Sequence, residues 1–253
     1  MSKPFVVKIG GSTLGSHDTT LEDLVALQRE GQAVVVVHGG GNLITRWLSR
    51  QGVATRLEDG LRVTDEETIE VVAAILCGLV NKDLVAAIQS LGGRAMGLSG
   101  IDGRLIEAKI KDEKLGYVGE VVRINPELIE ILLREGYIPV IAPLGLGAKG
   151  EKLNINADTA AGELAAGLGA GRLILLTDVA GVMDRLGKRF PHIPAGDVSS
   201  LIKSGAVIGG MIPKVEACLC ALSSVAIAQI VDGREPHALV EAIAGKGSGT
   251  TII

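Results

Sequence analysis

Phe5-Val6-Val7-Lys8-Ile9-Gly10-Gly11-Ser12 and Ala33-Val34-Val35-Val36-Val37-His38-Gly39-Gly40-Gly41-Asn42 are each a short apolar run that ends in a glycine turn. A run of Val and Ile without polar alternation is buried on both faces, as strands are in a parallel sheet covered by helices on each side. Glycine beyond the strand lets the main chain approach a ligand, and successive N–H groups there converge into an anion nest. Two such turns at the ends of neighbouring parallel strands lie together on one rim of the sheet, where open α/β folds bind. Phosphate is the expected guest.

Further apolar runs at 95–98, 137–142, 173–177 and 227–231 alternate with longer amphipathic stretches. The pattern predicts an α/β fold in three layers around a mainly parallel sheet. A helix is expected to open at Thr64-Asp65-Glu66-Glu67, with Thr64 and Glu67 forming a capping box. Ile69, Val72, Ala73, Leu76, Val80, Ala87, Ile88 and Leu91 make one apolar stripe on it, and Val71, Ile75 and Leu79 a second. Two apolar sides need two things to pack against, either a second subunit or a deep interior of the same chain. Residues 109–119 read as a surface hairpin, 145–156 as a flexible loop, and Gly169-Ala170-Gly171 as the boundary between lobes 1–171 and 172–253.

The 253 residues are 47% hydrophobic, with Lys+Arg 25 against Asp+Glu 29 and a net charge of -4. That balance gives no electrostatic reason to expect nucleic acid or an anionic membrane as partner. Phe5, Trp47, Tyr117, Tyr137 and Phe190 are too scattered to stack bases. Cys77, Cys218 and Cys220 form no disulfide framework, and no histidine lies near the last two to complete a zinc site. No signal region precedes the first strand and no apolar stretch approaches the roughly 18 residues of a membrane span, so a soluble cytoplasmic protein is expected.

Gly145-Leu146-Gly147-Ala148-Lys149-Gly150 fits G-x-G-x-x-G, but 151–156 alternates like extended chain instead of opening the helix that a dinucleotide site requires. The P-loop pattern G-x-x-x-x-G-K-[ST] is absent. In Asn154-Ile155-Asn156-Ala157-Asp158 alternation puts both amides on one face, and Asp158 then opens a helix either as its N-cap or as a functional carboxylate. Lys8, inside an apolar strand, must snorkel out or meet an anion. Lys214 follows Pro213 at a helix start and is either functional or a surface lysine. Arg62 is placed either to clamp a carboxylate or to face solvent. His38 is as fit to be a hydrogen-bonded strand end as a base, and Thr177-Asp178 ends a buried strand where ligands are commonly met.

Taken in order, Lys8-Ile9-Gly10-Gly11, His38-Gly39-Gly40-Gly41, Gly60-Leu61-Arg62-Val63-Thr64-Asp65, Asn154 to Asp158, Thr177 to Val182, Gly209 to Lys214 and Asp232-Gly233-Arg234 resemble the amino-acid kinase superfamily. Within it the resemblance is to the acetylglutamate kinase family, over essentially the whole chain. It implies a sandwich around a mainly parallel, about eight-stranded sheet, an acyl-acceptor lobe followed by a nucleotide lobe, and ATP-dependent phosphorylation of a side-chain carboxylate of N-acetyl-L-glutamate. It implies Lys8 and Lys214 as transition-state lysines and Asp158 as the carboxylate that holds them. Gly10, Gly11 and Gly40 would meet phosphate; Gly40, Gly41, Arg62, Asn154 and Asn156 would meet the acceptor. Thr177, Asp178, Val179, Ala180, Gly181, Val182, Ala206, Val207 and Ile208 would meet the nucleotide. Mg²⁺ is expected to accompany ATP, held by phosphates and water. Arginine-inhibited members carry an N-terminal extension before the first strand, so a homodimer insensitive to L-arginine is expected here. The rivals are a sibling kinase acting on carrier-linked aminoadipate or glutamate, a non-catalytic sensor of the same fold, and, resting on Gly145 to Gly150 alone, a nicotinamide-dependent oxidoreductase.

Overall fold

The computed structural model describes residues 3–10, 19–58, 60–184 and 186–253. The first half runs β1 (Phe5–Ile9), α1 (Thr20–Arg29), β2 (Val34–His38), α2 (Gly41–Arg50), β3 (Leu57–Glu58), β4 (Leu61–Arg62), α3 (Glu66–Ala73), a π-helical turn Ala74–Val80, α4 (Asn81–Ser90), β5 (Ala95–Ser99), β6 (Ile106–Ile110) and β7 (Gly119–Ile124). The second runs α5 (Glu127–Arg134), β8 (Ile138–Ala142), β9 (Leu144–Leu146), β10 (Lys152–Asn154), α6 (Ala157–Gly167), β11 (Arg172–Thr177), β12 (His192–Ile193), α7 (Ala195–Lys203), α8 (Met211–Ala221), β13 (Ala228–Asp232), α9 (Ala238–Ile243) and β14 (Thr250–Ile252).

The six apolar runs become the parallel body of an eight-stranded sheet, ordered β12-β14-β13-β11-β1-β2-β8-β5. Only at one edge does β14 reverse direction, pairing antiparallel with β13 and parallel with β12. The chain winds from β1 toward β2 on one side and later fills β11 and β13 on the other. The switch point therefore lies between β1 and β11, and the crevice beyond their carboxyl ends is the expected ligand site.

Strand alternation sorts the core into two layers. Val6, Val35, Leu173, Leu175 and Ile230 pack with Leu164 of α6 and Val215 and Cys218 of α8. Val7, Ile9, Val36, Ile174 and Leu176 pack on the opposite face with Leu24 of α1, Ile88 of α4 and Leu239 of α9. A smaller cluster joins Ile44 and Leu48 of α2 to Ile69, Val72, Ile75 and Leu76. Both stripes of the long helix thus reach the interior of this chain, although Leu79 stays 38% exposed. By length and composition this helix, Glu66–Ser90, is apolar enough to cross a bilayer, against the expectation that no stretch is. Its buried face belongs instead to the two clusters that hold Ile69, Leu76 and Ile88.

Two local expectations are corrected. Asp65, not Thr64, caps α3, accepting from Thr68 N at 2.9 Å. Thr64 is unavailable because its backbone bridges to the 112–118 segment, with Thr64 N donating to Leu115 O and Tyr117 N to Thr64 O. Residues 145–156 are no loose loop: β9 and β10 form an antiparallel hairpin closed by Gly147 N donating to Glu151 O at 2.9 Å. That hairpin adds to the β6–β7 hairpin, which is the excursion expected at 109–119.

On the far side, His237 begins α9 in the left-handed region, its N–H donating to Thr19 Oγ1 and its Nδ1 lying 2.8 Å from Asp23 Oδ1. Its hydrogen bond to Asp23, with the charge of the same carboxylate, raises the imidazole above its ordinary value of 6.5. A folded value above the unfolded one gives stability present in full below the unfolded value and lost as pH rises through the folded one. Thermal melts are expected to show a lower Tm on the alkaline side of that step, and His237→Gln to flatten it. A step of equal size in the variant would mean that another group produces it.

Candidate active site

Because Val6 and Lys8 share a face of β1, the Lys8 side chain leaves the sheet toward α6 and α8. It is 7% exposed, and an ammonium buried to that degree needs a counter-charge. Asp158 supplies it from the first turn of α6: Lys8 Nζ lies 2.9 Å from Asp158 Oδ1, and Lys214 Nζ, from the start of α8, donates to Asp158 Oδ2 at 2.8 Å. The carboxylate is not the N-cap. Asn156 takes that place, its Oδ1 accepting from Asp158 N at 2.9 Å and Thr159 N at 3.1 Å. Freed from capping, Asp158 stands at the positive end of the helix dipole and can serve both lysines.

Burial opposes the Asp158 charge, but the two ammonium groups outweigh it and hold the carboxyl below its ordinary value. Burial also draws Lys8 below 10.5, with Asp158 pulling the other way and Lys214 adding to the fall.

A cavity of about 380 Å³ opens beside Lys8 and Asp158, walled by Gly39, Gly40, Gly41 and Asn42, by Gly60, Leu61 and Arg62, and by Asn154, Ile155 and Asn156. Gly40 precedes α2, whose amino end carries no side-chain cap, so its first N–H groups are left to whatever fills the cavity. A Cβ at Gly40 would lie 2.7 Å from Leu76 Cδ2 in the π-helical turn, which is why this wall can come so close. Arg62 donates to Thr55 Oγ1 at 3.0 Å, Gly41 O at 3.0 Å and Thr45 Oγ1 at 2.9 Å. Among the described residues it has no carboxylate partner, and partial burial lowers its pKa without discharging it at neutral pH. Lys8, Lys214 and Arg62 against Asp158 leave the region net positive, a setting for a polyanion.

His38 is buried beside this wall, its Nε2 3.1 Å from Asn81 Nδ2 and its Nδ1 3.1 Å from Gly39 O. Burial lowers it to about 4, so at neutral pH it is an uncharged structural bridge. Gly10 is buried at the end of β1, and Gly11 lies outside the described residues.

The sequence profile of the amino acid kinase family matches residues 3–231. The chain belongs to the amino acid kinase family. A protein of Dehalococcoides mccartyi named acetylglutamate kinase is 44% identical over 254 residues, which cover 98% of this chain and 93% of that one. Another of that name from Zymomonas mobilis is 47% identical over 268 residues, covering 99% and 89%. The crystal structure of smu.665 from Streptococcus mutans UA159 superposes with a TM-score of 0.87 at 32% identity, covering 100% of this chain and 99% of that one.

In this amino acid kinase Thr177, Asp178 and Val179 stand at the carboxyl end of β11, with Asp178 and Val179 exposed. Gly181 is packed against Thr250, and Val182 is buried with its N–H donated to Thr250 Oγ1. Val207 is likewise a core side chain, whereas Ile208 is 70% exposed. Neither stretch lines the cavity beside Lys8. Missed from sequence were Thr45, Thr55 and Thr64, whose hydroxyls bond to Arg62 and Asn154; Thr64 meets Asn154 across 90 residues, and Thr45 and Thr55, 17 and 7 residues from Arg62, follow no helix or strand period that would mark them.

Proposed function

We propose that this protein transfers the γ-phosphoryl group of ATP to the side-chain carboxylate of N-acetyl-L-glutamate, giving an acyl phosphate and ADP. The observation that carries this reading is the pair of lysines held on one buried carboxylate beside a cationic cavity. An acceptor carboxylate, with an ordinary pKa of about 4.3, is already ionised at neutral pH and needs no general base. That agrees with an uncharged, fully engaged His38. The obstacle is bringing an anion up to a polyanion, and fixed ammonium groups and N–H donors lower it.

Lys8 and Lys214 neutralise the oxygens around the migrating phosphorus, while Asp158 keeps both amines aimed. Arg62 and Asn154 hold the acceptor's α-carboxylate, Asn156 lies beside them, and the N–H groups of Gly10, Gly40 and Gly41 meet phosphate or acceptor. Every residue lining the cavity comes from 1–171, which supports an acceptor lobe there and a nucleotide lobe in 172–253. Thr177 to Gly181 and Ala206 to Ile208 border the nucleotide, with Val182 and Val207 backing these stretches from the core. Mg²⁺ enters with ATP. Among the described residues no group of three or more His, Cys, Asp or Glu is placed to hold a metal, so phosphate oxygens and water would carry its coordination. The exposed Leu79 edge of the long helix fits a homodimer of this cytoplasmic enzyme.

A coupled assay of ADP release with MgATP and N-acetyl-L-glutamate, L-glutamate or L-2-aminoadipate tests the reading. Turnover is expected with the first alone, and no turnover with it would overturn the proposal. Lys8→Arg keeps the charge but not the geometry, and kcat is expected to fall at least about tenfold, a barrier rise of roughly 1.4 kcal/mol or more. Undiminished turnover in that variant would remove Lys8 from the mechanism.

A further inference from the structure

One buried hydroxyl sits between Arg62 and Asn154. Thr64 is fully buried; its hydroxyl donates to Arg62 O at 2.7 Å, and Asn154 Nδ2 lies 3.1 Å from its oxygen. The first bond decides the polarity of the second. A carbonyl oxygen only accepts, so the Thr64 proton is committed to Arg62, and Thr64 Oγ1 can then only accept from Asn154. The amide nitrogen of Asn154 must face Thr64, and its oxygen must face away.

The main chain holds this arrangement from three sides. Thr64 N donates to Leu115 O at 2.9 Å, Tyr117 N to Thr64 O at 2.7 Å, and Asn154 N to Tyr117 O at 2.8 Å. Gly116 turns beneath the crossing with φ 67, and a Cβ there would collide with Thr64 O. Segments distant in the chain, the start of α3, the 112–118 turn and β10, are thereby fixed around one hydroxyl.

We infer that Thr64 is a positioning residue for acceptor binding, its hydroxyl fixing the rotation of the Asn154 amide and so the place of its second N–H. The inference rests on the proposed function, in which Asn154 binds the acceptor's α-carboxylate. With one Nδ2 hydrogen given to Thr64, Asn154 offers the cavity one N–H and its Oδ1. Without Thr64 nothing fixes the rotation of the amide, and its second N–H is no longer held in place for the carboxylate, which costs binding before it costs chemistry.

Thr64→Val keeps the branching and nearly the volume while removing both hydrogen bonds; Thr64→Ser keeps the hydroxyl. In steady-state assays with MgATP and N-acetyl-L-glutamate, Thr64→Val is expected to raise KM for the acceptor by about tenfold, the loss expected for one well-made buried hydrogen bond. KM for ATP should hold, kcat should fall less than the acceptor KM rises, and Thr64→Ser should restore most of the affinity. Calorimetric titration with N-acetyl-L-glutamate on wild type, Thr64→Val, Asn154→Ala and the double variant closes the cycle, Thr64→Val costing nothing further once Asn154 is gone. A persistent cost in the double variant, failure of Thr64→Ser to rescue, or an equal rise in KM for ATP would overturn the inference. Wild-type turnover with an unchanged acceptor KM in Thr64→Val sinks it alone, whereas no wild-type turnover of N-acetyl-L-glutamate sinks the proposed function.

Discussion

Asp158→Asn is expected to lower kcat by about a thousandfold, equivalent to roughly 4 kcal/mol of transition-state stabilisation. The replacement is almost the same shape, so what it removes is charge. Two ammonium groups now share one carboxylate at 2.9 and 2.8 Å, and Lys8 is 7% exposed. Breaking a buried ion pair from one side costs about 3–5 kcal/mol, because an uncompensated charge is left in a poorly solvated place. Lys8 and Lys214 would then repel each other, and Lys8, already drawn below its ordinary value by burial, would give up its proton more readily. Either outcome takes a cation away from the migrating phosphoryl group. Steady-state kcat at saturating MgATP and acceptor measures the loss. A thermal melt run beside it distinguishes loss of charge from loss of fold, since Asn156, which caps α6, is untouched. A kcat within threefold of wild type would show that the lysines do not depend on Asp158.

The layer architecture was legible because strands buried on both faces are short Val, Ile and Leu runs without polar alternation, whereas the apolar stretch of the long helix recurs at helical spacing. Each of the six apolar runs became a strand of the large sheet, with ends shifted by one residue or less. The remaining strands of that sheet, His192–Ile193 and Thr250–Ile252, are too short to carry a period and exist because β13 offers an edge to β14 and β14 in turn to β12. Capping was misjudged at Thr64 and left open at Asp158, both for one reason. At Thr64-Asp65 and at Asn156-Ala157-Asp158 the sequence offers more than one side chain able to cap, and tertiary demand decides which is free to do so. Thr64 is taken by Arg62 and Asn154, and Asp158 by the two lysines. The oddity of a lysine within an apolar strand did announce Lys8. Nothing local announces Lys214, because its partner lies 56 residues away on a different helix.

That separation makes the contact between α6 and α8 the element on which the triad depends, and Gly162 is a point of close approach in it. A Cβ at Gly162 would lie 2.5 Å from Ala217 O and 3.0 Å from Ala217 Cα, both main-chain atoms that no rotamer change can move. Gly162 sits one turn beyond Asp158 on α6, and Ala217 just under a turn beyond Lys214 on α8. Gly162→Ala must therefore push the helices apart directly beneath the ion pair. Overpacking of this kind costs about 1–3 kcal/mol, which in a chain of this size lowers Tm by roughly 2–12 °C. Displacing one lysine by about an ångström costs on the order of a hundredfold in rate, so kcat is expected to fall further than the stability loss alone would suggest. Gly196→Ala provides the control, because Gly196 lies in α7 with nothing within 4 Å of the added carbon. There alanine is expected to leave kcat alone and to raise stability by about 0.4–1 kcal/mol through the unfolded chain. Equal behaviour of the two variants in both measurements would mean that helix spacing does not set the reach of Lys214, and that the amine finds Asp158 by side-chain flexibility instead.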